Sequence, residues 1–242
     1  MNKKDISIQL YTTRNFQPYA PILEFVKEVG VVNLELFGLE SINIEDFKNL
    51  MDINNITSQS THVGFESLKD TQNIIDRANQ LNIKHVIVPA PPARKDSDFK
   101  NTFDMNEEEW ISFGKDLSSY VSKFEDAGLT LGYHIECMME QNENLKLEID
   151  LGWTVAGGAD PIEWIKRYSN KIIACHLKDF YSKDKDMLDH DNQSAIGDGF
   201  IDWNQLISSM KNTNCELYIL EHDDPKDYKD YVLRSIENLK EI

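Results

Sequence analysis

Five strand-like runs in this chain end in residues that can bind a metal ion. They are Ser58-Gln59-Ser60-Thr61-His62, Gly132-Tyr133-His134-Ile135-Glu136, Leu147-Glu148-Ile149-Asp150, Ala174-Cys175-His176-Leu177-Lys178-Asp179 and Leu220-Glu221-His222-Asp223-Asp224. Side chains alternate along a strand, so one parity of each run points inward. His134, Asp150, His176 and Glu221 follow their runs by a similar offset, which puts them in one layer. Glu136 shares the parity of His134, one layer further out. A mixed imidazole and carboxylate set suits one divalent metal ion: Mn²⁺, Zn²⁺, Co²⁺ or Mg²⁺. A lone histidine at a strand end is usually structural, and a lone carboxylate there is usually a cap. Four together, each closing an apolar run, point to a metal.

Other residues address the same mouth. Glu35 is a charge in the middle of Val31-Val32-Asn33-Leu34-Glu35-Leu36-Phe37, and a buried carboxylate is expensive unless ligated or paired, here with Arg14 or a lysine. Lys178 matches the parity of His176 and could hold a substrate oxygen; as a surface lysine it would hold nothing. Ile196-Gly197-Asp198-Gly199-Phe200-Ile201-Asp202-Trp203 reads as a substrate-covering loop or as a turn before an Asp N-cap. His85 starts a strand and His190 lies in a polar loop, so both are expected to be solvated.

These residues need a scaffold that brings strand ends together. Strand-like runs cover Ile6–Tyr11, Val31–Phe37, Ile56–His62, His85–Pro89, Thr130–Glu136, Lys146–Leu151, Ile172–Leu177 and Glu216–Glu221. They are almost continuously apolar, as parallel strands covered on both faces are. Amphipathic segments predict helices over Pro21–Val29, Ile44–Asn54, Thr71–Leu81, Glu107–Ala127, Pro161–Tyr168, Asp202–Asn212 and Asp227–Leu239. Cys137–Leu145 is too short for a full crossover helix, so the helix between strands five and six is expected to be reduced or missing. With no linker or composition shift, residues 1–242 read as a single α/β domain, a (β/α)8 TIM barrel. An open doubly wound sheet would usually bring a glycine-rich turn after its first strand, and Tyr11-Thr12-Thr13-Arg14-Asn15 has none.

Composition narrows the partners. Lys and Arg total 25 against 42 Asp and Glu, a formal charge of −17. Such a chain repels phosphate backbones and anionic bilayers, so neither nucleic acid nor membrane is expected as a partner. No run is long and apolar enough to span a bilayer, and the N-terminus carries no apolar signal segment. Cys137, Cys175 and Cys215 are odd in number and widely spaced, which predicts buried reduced thiols and a cytoplasmic setting.

Motifs spread over the chain resemble the sugar phosphate isomerase/epimerase group with the xylose-isomerase-like barrel. In order they are Ser7-Ile8-Gln9-Leu10-Tyr11 with Arg14, Asn33-Leu34-Glu35-Leu36-Phe37-Gly38, Thr61-His62-Val63-Gly64, Gly132-Tyr133-His134 and Ile149-Asp150-Leu151-Gly152-Trp153. Gly157-Gly158-Ala159-Asp160-Pro161, His176-Leu177-Lys178-Asp179, Gly197-Asp198-Gly199-Phe200-Ile201-Asp202-Trp203 and Leu220-Glu221-His222-Asp223 complete the set. The resemblance implies a TIM barrel, a divalent metal on His134, Asp150, His176 and Glu221, and substrate contacts from His62, Glu35, Lys178 and Trp153. It leaves room for a homodimer. Many members carry Glu where His134 stands, and the subgroup with the Gly-Tyr-His start carries a second His where this chain has Glu136. Either His134 or Glu136 therefore supplies the ligand from strand five.

The implied chemistry is proton removal beside a carbonyl, with Glu136 or Glu221 as the base and a metal offsetting the charge of an ene-diolate. Reprotonation on the other face gives epimerisation, reprotonation on the neighbouring carbon gives isomerisation, and loss of a β-substituent gives elimination. The expected function is a metal-dependent sugar isomerase or epimerase acting on a small keto-sugar or polyol. The alternatives are a lyase or dehydratase on a keto-sugar, inosose or keto-glycoside, and a non-catalytic sugar-binding barrel. No phosphate-binding glycine loop or arginine cluster is present, so an unphosphorylated keto-sugar or inosose fits at least as well as a sugar phosphate. An apurinic endonuclease on this fold would need a richer histidine set than six and a basic surface.

Overall fold

The computed structural model describes residues 5–92, 105–134 and 142–242. Eight parallel strands close into a barrel: β1 (Ile6–Gln9), β2 (Asn33–Phe37), β3 (Thr57–His62), β4 (His85–Val88), β5 (Thr130–Tyr133), β6 (Lys146–Asp150), β7 (Ile172–Leu177) and β8 (Leu217–Leu220). Each pairs with its chain neighbour and β8 pairs with β1, so no strand edge is left open. The helices outside are α1 (Tyr19–Val29), α2 (Ile44–Asn54), α3 (Thr71–Gln80), α4 (Glu107–Ser118), α5 (Val121–Asp126), α6 (Leu151–Ala156), α7 (Pro161–Arg167), α8 (Trp203–Met210) and α9 (Tyr228–Glu241). A two-residue antiparallel pair, Asp179–Phe180 with Gln193–Ser194, lies beyond β7. Among the described residues no helix is long and apolar enough to cross a membrane.

The helices form where apolar spacing and caps agree. Ile22, Phe25, Val26 and Val29 bury one face of α1, and Gly30 ends it in the left-handed region at φ 81°. Asn43, Asp70, Asp160, Asp202 and Asp227 cap α2, α3, α7, α8 and α9 by accepting first-turn N–H bonds. The main core lies between helices and strands. Ile87, Ile173, Ala174, Leu217 and Ile219 form a second, smaller cluster. Leu217 and Ile219 share the parity of Glu221, and Ala174 that of His176, so this cluster fills the barrel below the site.

Four expectations from the sequence differ from the fold. The helix over Glu107–Ala127 is two helices. Ser119 Oγ donates to Asp116 O at 2.6 Å, and this local bond competes with the helical ladder at the Ser118-Ser119 pair. The strand expected to reach Tyr11 stops at Gln9, whose side chain accepts the Tyr11 N–H at 3.0 Å and starts a 3₁₀ turn over Leu10–Thr13. Helix α6 follows β6 directly and is too short to announce itself by periodicity; Asp150 caps it. His85 is buried rather than solvated, because it shares the inward parity of Ile87 in β4; both its ring nitrogens lack hydrogen-bond partners among the described residues. Between β5 and β6, the described residues 142–145 contain no helix, while Cys137 and most of that connection lie outside the described residues. Cys175 and Cys215 are free thiols, the first fully buried.

Candidate metal centre

The C-terminal ends of β5 to β8 bring four donors to one point. His134 follows β5, Asp150 ends β6, His176 is the penultimate residue of β7, and Glu221 follows β8. One ligand atom from each lies within 4.8 Å of the others. His134 Nε2 is 3.2 Å from His176 Nδ1, which is 2.9 Å from Glu221 Oε2. Asp150 Oδ2 lies 3.8 Å from His134 Nε2 and 4.0 Å from His176 Nδ1. Asp150 divides its work: Oδ1 accepts the Trp153 N–H at 2.8 Å, while buried Oδ2 makes no hydrogen bond and faces the set.

Lys178 is 1% exposed and its ammonium is ringed by carboxylates. It lies 3.3 Å from Asp150 Oδ2, 3.0 Å from Glu221 Oε2 and 3.0 Å from both Asp223 oxygens, and 4.8 Å over the Trp153 ring. Gly152 permits this: a side chain there would run into the backbone carbonyl and Cβ of Lys178.

A second layer lies beneath. Gln9 Nε2 donates to Glu35 Oε2 at 2.8 Å and is 3.4 Å from His62 Nδ1. His62 Nε2 meets Glu148 Oε2 at 2.6 Å, and His176 Nε2 meets Glu35 Oε2 at 2.6 Å. His176 thus presents one nitrogen to each layer. Glu35 and Glu148 each follow a register shift, at Leu34/Glu35 and Leu147/Glu148, where a bulge re-aims the strand.

Burial and neighbours set the charges. Burial pushes the Glu148 carboxyl up to about 7, and the Glu35 charge adds to it. Burial also pushes Glu35 up, but His62 and His176 outweigh it and hold that carboxyl at about 2. For Glu221 burial is outweighed by Lys178 and His176, which keep it well below the usual carboxylate range. Burial, helped by His176 and His62, drives the His134 imidazole well below its ordinary value, so its lone pair is free to bind.

The donor chemistry fits a divalent ion. Two imidazole nitrogens and two carboxylate oxygens converge, one oxygen has no hydrogen bond, and the two nitrogens are too close for both to carry protons.

Above the set opens a cavity of about 570 Å³. Tyr11 and Phe37, packed edge to face at 5.3 Å, form one part of the wall, and His62, Trp153, Lys178 and Asp223 line it too. Three of the expected substrate contacts, His62, Lys178 and Trp153, are therefore on the wall. The fourth, Glu35, is 0% exposed and lies beneath it. Its partners are Gln9, His62 and His176 rather than Arg14 or a lysine, because Arg14 turns to the Asp223 carbonyl and to Asp224. Glu136 lies outside the described residues. Glu148, Gln9 and Asp223 stand inside the runs quoted from the sequence but carry no role there, although Glu148 has the same signal as Glu35, a charge inside a strand with apolar neighbours. The Gly197–Gly199 loop is a tied turn: Asp179 accepts N–H bonds from Gly197, Gly199 and the Trp203 ring, and Asp202 caps α8.

Residues 23–242 match the family described as xylose isomerase-like TIM barrel. An inosose dehydratase of Clostridium perfringens is 29% identical over 50% of this chain and 50% of its own length. The chain spans about half the length of that curated relative. A sugar phosphate isomerase/epimerase from Parabacteroides distasonis superposes with a TM-score of 0.78 at 18% identity, covering 99% of this chain and 94% of that one. The IolI protein with a bound zinc atom superposes at 0.78 and 16% identity over 98% and 97% of the two chains. At these identities the structural likeness speaks to the fold.

Proposed function

The chain belongs to the xylose isomerase-like TIM barrel family, and from that premise we propose that it is a divalent-metal-dependent isomerase or epimerase of a small, unphosphorylated keto-sugar or cyclic polyol ketone. The observation that carries this reading is the convergence of His134, Asp150, His176 and Glu221 at the floor of a cavity walled by aromatic rings and Lys178. Those four residues would hold the metal, and the zinc atom in the IolI neighbour is in keeping with such a site. A divalent ion held there would polarise a carbonyl and offset negative charge as an ene-diolate develops.

The chain's own residues divide the remaining work. Lys178 is the sole Lys or Arg on the described cavity wall, and three carboxylates already ring it. It therefore has charge enough to orient a neutral hydroxyl or carbonyl oxygen but little to spare for a phosphate. Tyr11, Phe37 and Trp153 offer apolar faces to the C–H side of a sugar ring. Glu221 stays ionised and is one candidate to take the carbon-bound proton; Glu136, two residues after His134 in the sequence, is the other.

A dehydratase is the second reading, favoured by the names of the curated relatives. Proton removal is common to both, so solvent-deuterium exchange tests the shared step. Metal-loaded protein is incubated in D₂O with a panel of keto-sugars and inososes, beside chelated protein. Metal-dependent exchange without loss of water supports the isomerase or epimerase. A product lighter by one water supports the dehydratase. No exchange and no product across the panel, with metal bound, would sink both.

A further inference from the structure

Below the outer set, Glu35, His62, Glu148 and His176 form a second ring, one ligand atom of each within 4.8 Å of the others. Around it the spacings are 2.6 Å from His176 to Glu35, 3.3 Å from Glu35 to His62, 2.6 Å from His62 to Glu148 and 3.4 Å from Glu148 to His176. Donor atoms each about 2.1 Å from one ion stand roughly 3.0–3.4 Å apart, and two of these spacings fall in that range while the two 2.6 Å contacts would open slightly to admit the ion. The ring's two carboxylates are 0% exposed, and every ion pair described for them is to a histidine. Their second oxygens, Glu35 Oε1 and Glu148 Oε1, are buried without a hydrogen-bond partner. Two buried carboxylates with no ammonium or guanidinium are costly, and a dication between them relieves that cost.

We propose that this ring is a second divalent-cation site, held by Glu35, His62 and Glu148 with His176 as a bridge that offers Nδ1 to the outer set and Nε2 to the inner one. The inner ion takes the place of the protons that otherwise lie along the two 2.6 Å contacts, and those protons pass to the buffer. His62 is on the cavity wall, so the ion enters through the barrel mouth. The inference depends on the outer metal reading only through the shared His176.

The test counts bound metal. Chelated full-length protein is titrated with Co²⁺ or Zn²⁺, desalted and analysed by elemental analysis, beside Glu148→Gln and Asp150→Asn, with circular dichroism as the folding control. Two ions per chain in the parent, falling to one in each variant, are expected. His62→Gln repeats the inner test if Glu148→Gln does not fold. One ion in the parent that survives both inner variants and is lost in Asp150→Asn overturns the inner site and leaves the outer reading standing. One ion that survives Asp150→Asn and is lost in Glu148→Gln supports the inner site and overturns the outer one. No ion in the parent overturns both.

Discussion

Asp150 carries two functions on two oxygens, and substitution can separate them. Oδ1 caps α6 through the Trp153 N–H at 2.8 Å, while Oδ2 faces His134 and His176. Asp150→Asn retains a side-chain oxygen able to cap and removes the charged ligand. Asp150→Ala removes both. Lys178 keeps Glu221 and Asp223 at 3.0 Å in either variant, so no buried ammonium is stranded. Burial pushes the Asp150 carboxyl up, so without metal its charge is held at a cost and a neutral amide is tolerated. Two magnitudes follow. In chelator, Asp150→Ala should be less stable than Asp150→Asn by about 0.5–2 kcal/mol, the worth of a cap. With metal at 100 times its Kd, the outer site should add about 2.7 kcal/mol to the parent, or roughly 5–11 °C in Tm for a chain of this size. Both variants should lack that increment. Urea midpoints in chelator, thermal melts with added Zn²⁺ and elemental analysis measure all of it. If Asp150→Asn binds as many ions as the parent and gains the same thermal shift, Asp150 is no ligand. If the two variants unfold at the same urea concentration, the cap argument fails.

Three further expectations test other parts of the argument. Glu35→Gln removes a charged ligand from the inner ring and the charged acceptor of His176 Nε2, so it should cost the inner ion and weaken the outer one about 10–100-fold; a parent-like ion count with unchanged affinity in a competition titration would show that Glu35 neither binds an ion nor orients His176. Gly152→Ala forces a methyl group against the Lys178 backbone and should destabilise the chain by about 1–3 kcal/mol, and a urea midpoint equal to the parent's would contradict that packing. Burial pushes the Cys215 thiol up to about 12, so at pH 8 its native alkylation should run about 10³-fold slower than that of a free thiol; peptide mapping after timed iodoacetamide labelling would expose an error if Cys215 reacts at the free rate.

The outer donors and the barrel are both legible in the sequence, for one reason. Parallel strands buried on both faces write continuous apolar runs, and a polar residue ending such a run is conspicuous. His134, Asp150, His176 and Glu221 each interrupt an apolar pattern at a strand end, and closure of eight strands brings those ends together. The inner layer was half hidden. Glu35 stands out inside β2, but its partners come from β1, β3 and β7, two of which also meet Glu148 of β6, and no spacing along the chain announces a contact between Gln9, His62, Glu148 and His176.

Local sequence chemistry determined the strands, most helix caps and the residue types able to hold a metal, because these depend on neighbours within a few positions. Only the closed barrel decided depth. It buried Glu35 beneath the cavity instead of on its wall, buried His85 at the foot of β4, and placed Lys178 among three carboxylates. Depth along the barrel axis depends on strand register and on the shifts at Leu34/Glu35 and Leu147/Glu148. Register is a relation between strands distant in sequence, set by the closure and packing of the whole sheet.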